Sequence, residues 1–198
     1  MNQQVIVALG DITITAPQQT VARALLAAAF GDAPMVPPIP ASMAPKVGTF
    51  WPAQGGINLG LVTGENDEPD YYLIQPLDPL AYLKAMPLGT YGDNVSGACH
   101  KRDGLANTKA LAEAGSELCK QILALEIDGF ADFYLPAQLE QNLQYHYGGE
   151  SFVKEWHWSS TQYSSLSAFG QTFNAGHQNG GVKSYSFRAR AVRRFFIQ

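Results

Sequence analysis

Between residues 4 and 15 the chain alternates weakly and is β-branched: Val5, Ile6 and Val7, then Ile12-Thr-Ile-Thr15, around Gly10-Asp11. That pattern predicts a hairpin. Thr15-Ala-Pro-Gln18 reads as a capping box with proline in the first helical turn, opening an Ala/Leu-rich helix over residues 17–30 that stops at Gly31. The helix carries almost no polar surface, so this chain or a partner copy must cover it. Further on, residues 49–62 read as strand, glycine turn and strand, residues 64–70 as an acidic turn, and residues 71–74 as another strand. Helical spacing fills residues 105–114 and 116–125, broken at Gly115. Leu135-Pro136 opens a further helix with Leu139, Leu143 and Tyr147 on one face, stopped by Gly148-Gly149. From Trp156 to Phe196 the pattern is short strands and polar turns. The class is α+β, with helices between an opening and a closing group of strands.

Pro34, Pro37, Pro38, Pro40 and Pro45 crowd one stretch and make it a stiff extended linker. The expected organisation is an N-terminal module over residues 1–32, a linker over 33–46 and a second domain over 47–198.

Composition narrows the functions. Of the 198 residues 15% are charged, well below the roughly 25% of an average domain, so long solvated helices are not expected. A net charge of −4 and a pI near 5.5 argue against a nucleic-acid binder. The charge is uneven: no acidic residue follows Glu155, leaving that segment at +5 and the rest at −9. Arg188, Arg190, Arg193 and Arg194 are therefore expected to pair with carboxylates elsewhere in the chain. Cys99 and Cys119 are too few for a thiolate metal site or a disulfide scaffold, and are expected as free thiols, a single bridge being the alternative. The apolar run over residues 21–30 is too short to span a bilayer, contains Arg23 and lacks a basic flank. Neither a secretion signal nor membrane insertion is expected, and synthesis and folding are expected in the cytoplasm.

Catalytic chemistry finds little support. Gly55-Gly56, Gly60 and Gly64 match neither nucleotide-binding glycine pattern. His100, His146, His157 and His177 have no two at ligand spacing. A triad of Cys99 or a serine with His157 and Asp132 lacks a nucleophile elbow. Glu65, Asp67, Glu68 and Asp70 lack EF-hand spacing and read as a solvated acidic turn. No catalytic residue, metal or cofactor is therefore assigned. More unusual is the segment over residues 156–187, where Trp156, Trp158, Tyr163, Phe169, Phe173, Tyr185 and Phe187 are interleaved with small polar residues and Lys183 is the only charge. Rigid rings among adaptable polar groups are also the composition of antibody paratopes. Trp156, Trp158 and Phe173 are expected in the core. Gln162, Tyr163, Leu166, Phe169, Asn174, His177, Asn179 and Tyr185 are the candidates for an exposed ligand-binding face.

Four pieces occur in order: Asp132-Phe-Tyr-Leu-Pro-Ala-Gln-Leu-Glu140, Trp158-Ser-Ser-Thr-Gln-Tyr163, Phe173-Asn-Ala-Gly176 and Arg188-Ala-Arg-Ala-Val-Arg193. Together they resemble the Lcl C-terminal-like domain, a domain of uncertain function named after the end of a collagen-like bacterial adhesin, over about residues 47–196. The Trp51-Pro-Ala-Gln-Gly-Gly56 opening is similar to prophage-encoded members. The resemblance implies a C-type-lectin-like fold, related to formylglycine-generating enzymes and to the variable proteins of diversity-generating retroelements. In the variable proteins, the segment matching residues 158–193 displays the ligand-binding residues. The enzyme branch carries a late cysteine pair, and this chain has no cysteine after Cys119; lectin-type calcium motifs are also missing. The resemblance thus implies a non-enzymatic receptor-binding protein of a phage or prophage tail tip, located in the virion. The alternative is a bacterial surface adhesin at the cell surface, and a formylglycine-type enzyme is a distant third. Expected partners are a host surface receptor, sugar or protein, and a tail protein or further copies at the N-terminal module, with a trimer expected by analogy.

Overall fold

The computed structural model describes residues 4–9, 12–17, 44–64, 69–148 and 152–196. The chain divides into two compact units, Met1–Ile39 and Pro40–Gln198. In the first, β1 (Gln4–Leu9) and β2 (Ile12–Pro17) pair antiparallel, from Gln4↔Pro17 to Leu9↔Ile12, as the alternation predicts. Pro17 closes a strand instead of opening a helix, at a strand end, where its missing N–H costs no interior ladder bond. The rest of the predicted helix and residues 33–43 of the predicted linker lie outside the described residues. Residues 44–46, by contrast, are tied into the second unit: the Pro45 carbonyl accepts from the Asn58 amide at 2.7 Å.

The second unit is α+β. One sheet takes the order β6 (Tyr82–Met86), β10 (Phe187–Arg190), β7 (Trp156–Gln162), β8 (Ser167–Thr172), β9 (Gln178–Val182). All its pairs are antiparallel except β10 with β7, which share a single registered pair, Arg188↔His157. The other sheet is antiparallel, in the order β11 (Arg193–Phe196), β5 (Tyr71–Pro76), β4 (Gly56–Val62), β3 (Phe50–Trp51). Strand β6 carries no clear alternation in sequence and was not expected. The α-helices among the described residues are α1 (Gly104–Glu113), α2 (Glu117–Leu123) and α3 (Gln138–Tyr147). Asp103 caps α1 by accepting from Ala106 N–H, and Ser116 caps α2 by accepting from Cys119 N–H, so the predicted break at Gly115 is where one helix ends and the next is capped.

Two cores follow. Leu83, Leu88, Leu111, Leu118, Ile122, Phe133, Leu135, Trp158, Ala168, Ala189 and Ala191 make the larger, and Leu59, Tyr71, Leu73, Tyr134 and Val192 the smaller. The closing segment belongs to both. After β10, Ala191 N–H donates to Ala81 O at 2.8 Å and Val192 bridges Tyr134, so the chain steps from one sheet to the other through two fully buried residues. As expected, Trp158, Ala189, Ala191 and Val192 are buried; Trp156 and Phe173 are only half-buried.

Helix α3 departs from its predicted polarity. Leu139 and Tyr147 are exposed, and the buried positions are Glu140, Gln141 and Gln144. Gln141 Nε2 donates to His157 O (3.1 Å) and Trp158 O (2.9 Å), and Gln144 Nε2 donates to Arg190 O at 3.3 Å. The two amides supply donors to carbonyls of β7 and β10, strands that share only one registered pair. An apolar face there would leave those carbonyls unpartnered, at a cost of about 1–3 kcal/mol each. Glu140 accepts from Tyr71 OH (2.7 Å), Tyr134 OH (2.6 Å), Gly104 N–H (3.1 Å) and Ala137 N–H (2.8 Å). Burial pushes its carboxyl above the ordinary value, opposed by the Arg194 guanidinium and these donors.

Three of the C-terminal arginines form the internal pairs expected of them. Arg188 pairs with Glu155 (2.8 Å), Arg193 with Asp132 (2.8 Å) and Arg194 with Asp103 (2.7 Å). Arg190 donates to Pro76 O at 3.0 Å and lies over the Tyr82 and Phe152 rings, 5.2 Å from each centroid.

His157 sits in the same aromatic cluster, stacked on Tyr82 with its Nε2 2.7 Å from the Tyr82 hydroxyl, and edge-on to Phe152 and Phe173. Burial lowers its pKa from 6.5 to about 4. The unfolded chain therefore binds a proton that the folded chain refuses between those values, and stability falls as pH drops from 6.5 towards 4. Urea titrations at pH 7 and pH 4 should differ by up to about 3 kcal/mol from this group, a difference that His157→Gln removes. An unchanged slope in the variant would assign the acid lability elsewhere.

Candidate functional site

The Trp158-Ser-Ser-Thr161 stretch is scaffold down to its hydroxyls. Ser159 Oγ donates to Phe169 O at 3.1 Å and Thr161 Oγ1 to His100 O at 2.8 Å, while Ser160 N–H donates to Pro136 O at 2.8 Å. The β7–β8 register shifts between Trp158 and Gln162, and these contacts partner the polar groups freed there. Beyond that bulge the chain turns outward. Tyr163 is 69% exposed and Tyr185 55%, with Leu166 exposed as well. Phe169 is half-buried beneath Tyr163, ring edge to ring face at 5.3 Å.

Backbone bonds bring these residues to one end of the β8–β9 pair. Lys183 N–H donates to Leu166 O (3.1 Å) and Tyr163 N–H to Ser167 O (3.0 Å), and the Tyr163 ring flanks Gly180. A third segment joins them: Gly92 N–H donates to Ser165 O at 3.1 Å, next to Tyr91, which is 58% exposed. Asn174 and His177 are exposed but lie at the far end of β8, about 17 Å away at 3.4 Å per residue. Asn179 is exposed midway along β9, its side chain accepting from Gly180 N–H at 2.8 Å. The expected single face is thus two separate groups of residues. Gly176 sets the second group's turn: its φ of 74° and the Tyr145 ring, 2.6 Å from where a Cβ would stand, admit only glycine.

Gln162 departs from the expectation of exposure, at 3%. Its Oε1 accepts from Val95 N–H (3.0 Å) and Lys183 Nζ (2.5 Å), and its Nε2 donates to Asn94 Oδ1 (2.8 Å). Lys183 is itself buried, donating also to Asp93 O, and desolvation lowers its pKa. The pair pins the loop over residues 89–98 against β7 and the turn after β9. Sequence reasoning missed this loop, Tyr91 included; the one signal was Lys183, a lone charge in an uncharged stretch, which burial has to compensate with fixed acceptors.

The paper triad does not assemble. The ring nitrogens of His157 face the Tyr82 hydroxyl and the Glu155 carbonyl, and Asp132 is engaged by Arg193. Among the described residues no group of three or more His, Cys, Asp or Glu side chains could hold a metal ion, and both cysteines are free. Of the acidic turn, Asp70 accepts from Gly64 N–H at 3.0 Å, and residues 65–68 lie outside the described residues. No helix among the described residues is long and apolar enough to cross a membrane. No family model matches the chain, and no curated protein matches it in sequence.

Proposed function

We propose that the chain is a non-enzymatic recognition module with a C-type-lectin-like second domain, carried at the tip of a phage or prophage tail, where it binds a host surface receptor. The observation that carries the reading is the division of labour in residues 156–196. Trp158, Ala189, Ala191 and Val192 are buried as scaffold, while Tyr163, Leu166 and Tyr185 stand exposed at one end of a strand pair, rigidly backed by Phe169 and the Lys183 clamp. Large rings held out by a fixed frame give contact area at low entropic cost. The resemblance of the Trp51-Pro-Ala-Gln-Gly-Gly56 opening to prophage-encoded members adds the prophage setting, and the N-terminal unit serves as the attachment or trimerisation module.

Alanine at Tyr163, Leu166 or Tyr185 is expected to weaken host-cell attachment by ~30-fold or more each, the equivalent of ~2 kcal/mol at an interface anchor. The melting temperature should stay within about 2 °C, since exposed truncations are nearly neutral. Retained attachment by the triple variant would sink the face as the binding site.

A further inference from the structure

Behind the exposed rings, one cluster brings a thiol, a carboxamide and an ammonium group together. Cys99 is exposed, and its Sγ lies 3.7 Å from Nε2 of the buried Gln162. The carboxamide is held in place, with Nε2 bonded to Asn94 Oδ1 at 2.8 Å. Its Oε1 is gripped by two donors, Val95 N–H at 3.0 Å and Lys183 Nζ at 2.5 Å. A carbonyl bonded to an ammonium and a backbone N–H is polarised toward attack at its carbon, and the same donors stabilise the oxyanion that attack creates. A nucleophile already touching the amide has no encounter entropy left to lose.

We propose that Cys99 and Gln162 close an internal thioester. Cys99 Sγ attacks Cδ of Gln162 and a C–S bond forms, with the negative charge on Oε1 received by Val95 N–H and the Lys183 ammonium. Collapse breaks the Cδ–Nε2 bond, and the nitrogen leaves as ammonia, taking the thiol proton. Nothing is oxidised or reduced, and no co-reactant is needed. The product is an acyl donor at the protein surface on the Cys99 side and shielded from water on the Gln162 side. The acceptor chemistry it fits is a primary amine, such as a lysine on a bound partner, which would become amide-linked to Gln162 and release Cys99.

Intact-mass spectrometry of the full chain, purified in amine-free buffer, tests this directly. The expected species is lighter than the sequence mass by about 17 Da, the mass of ammonia, with the loss mapped to the peptides containing residues 99 and 162. After brief unfolding in urea, iodoacetamide should label Cys119 and leave Cys99 unlabelled. Methylamine should add about 31 Da to the light species and free Cys99 for labelling, as expected for amine attack on a thioester. Cys99→Ala and Gln162→Glu should each restore the full sequence mass; the first alters an exposed side chain and the second is near-isosteric, so both test the bond in a folded chain. A full-mass wild type with both thiols labelled overturns the proposal. So does a light species in which Cys99 is labelled, because that assigns the lost ammonia to a Lys183–Gln162 amide.

Discussion

Glu140→Ala is expected to lower the free energy of unfolding by about 4 kcal/mol, the loss typical of removing one partner of a buried charge network. The carboxylate is buried and accepts from two tyrosine hydroxyls and two backbone N–H groups that come from β5, from Tyr134 at its bridge to Val192, and from the starts of α1 and α3. Arg194 Nη2 lies 3.7 Å from it. Removing it takes the acceptor from four donors, of which only the Tyr71 hydroxyl has another within reach, Arg102 O at 3.3 Å. Glu140→Gln should cost about half as much, because the amide oxygen can keep both backbone N–H donors while its NH2 donates to the tyrosine hydroxyls, which lose their charged acceptor. Urea denaturation followed by circular dichroism measures both. A Glu140→Ala loss below about 1 kcal/mol would show that the donors find other partners.

Trp158→Ala should cost about 3–5 kcal/mol, the range for truncating a large aromatic in a packed core. The ring is fully buried, lies 4.2 Å from the Phe187 ring, and donates from Nε1 to Met86 O at 3.1 Å. Trp158→Phe retains most of the apolar contact and loses the hydrogen bond, so a loss of about 1–2 kcal/mol is expected. Below its own melting temperature the Phe variant should attach to cells like wild type, since Tyr163, Leu166 and Tyr185 do not depend on the indole nitrogen. Paired calorimetry and attachment assays separate the two effects.

The elements legible in the sequence are those marked by a local pattern. The β1–β2 alternation, the helical spacing broken at Gly115 and the strands from Trp156 onward all reflect local periodicity, and all are present. Helix α3 was legible in position and misleading in polarity. Its inner face meets strand carbonyls, and hydrophobic spacing carries no signal for a surface that demands hydrogen-bond donors. Strand β6 was invisible because Lys84 and Ala85 are exposed and only Leu83 is buried, leaving no alternation to read. For the candidate face, ring and polar composition placed Tyr163 and Tyr185 correctly at the surface. It could not separate Gln162, which looks like its polar neighbours until the ammonium of Lys183 is found against it. Distance along β8 likewise cannot be read from composition, and it is what sets Asn174 and His177 apart.

The step from β10 to β11 has a consequence for how the chain is made. Ala189 pairs with Leu83 and Arg193 with Ile74, so each sheet receives a strand from about a hundred positions downstream. Synthesis delivers the chain from its N-terminus, so β5 and β6 leave the ribosome about a hundred residues before β10 and β11. Until then β6 has no neighbour in its sheet and β5 lacks the strand on its outer side. The domain is therefore finished only once the segment over residues 187–196 has been made, and until then the nascent domain holds two sheets waiting for one closing segment.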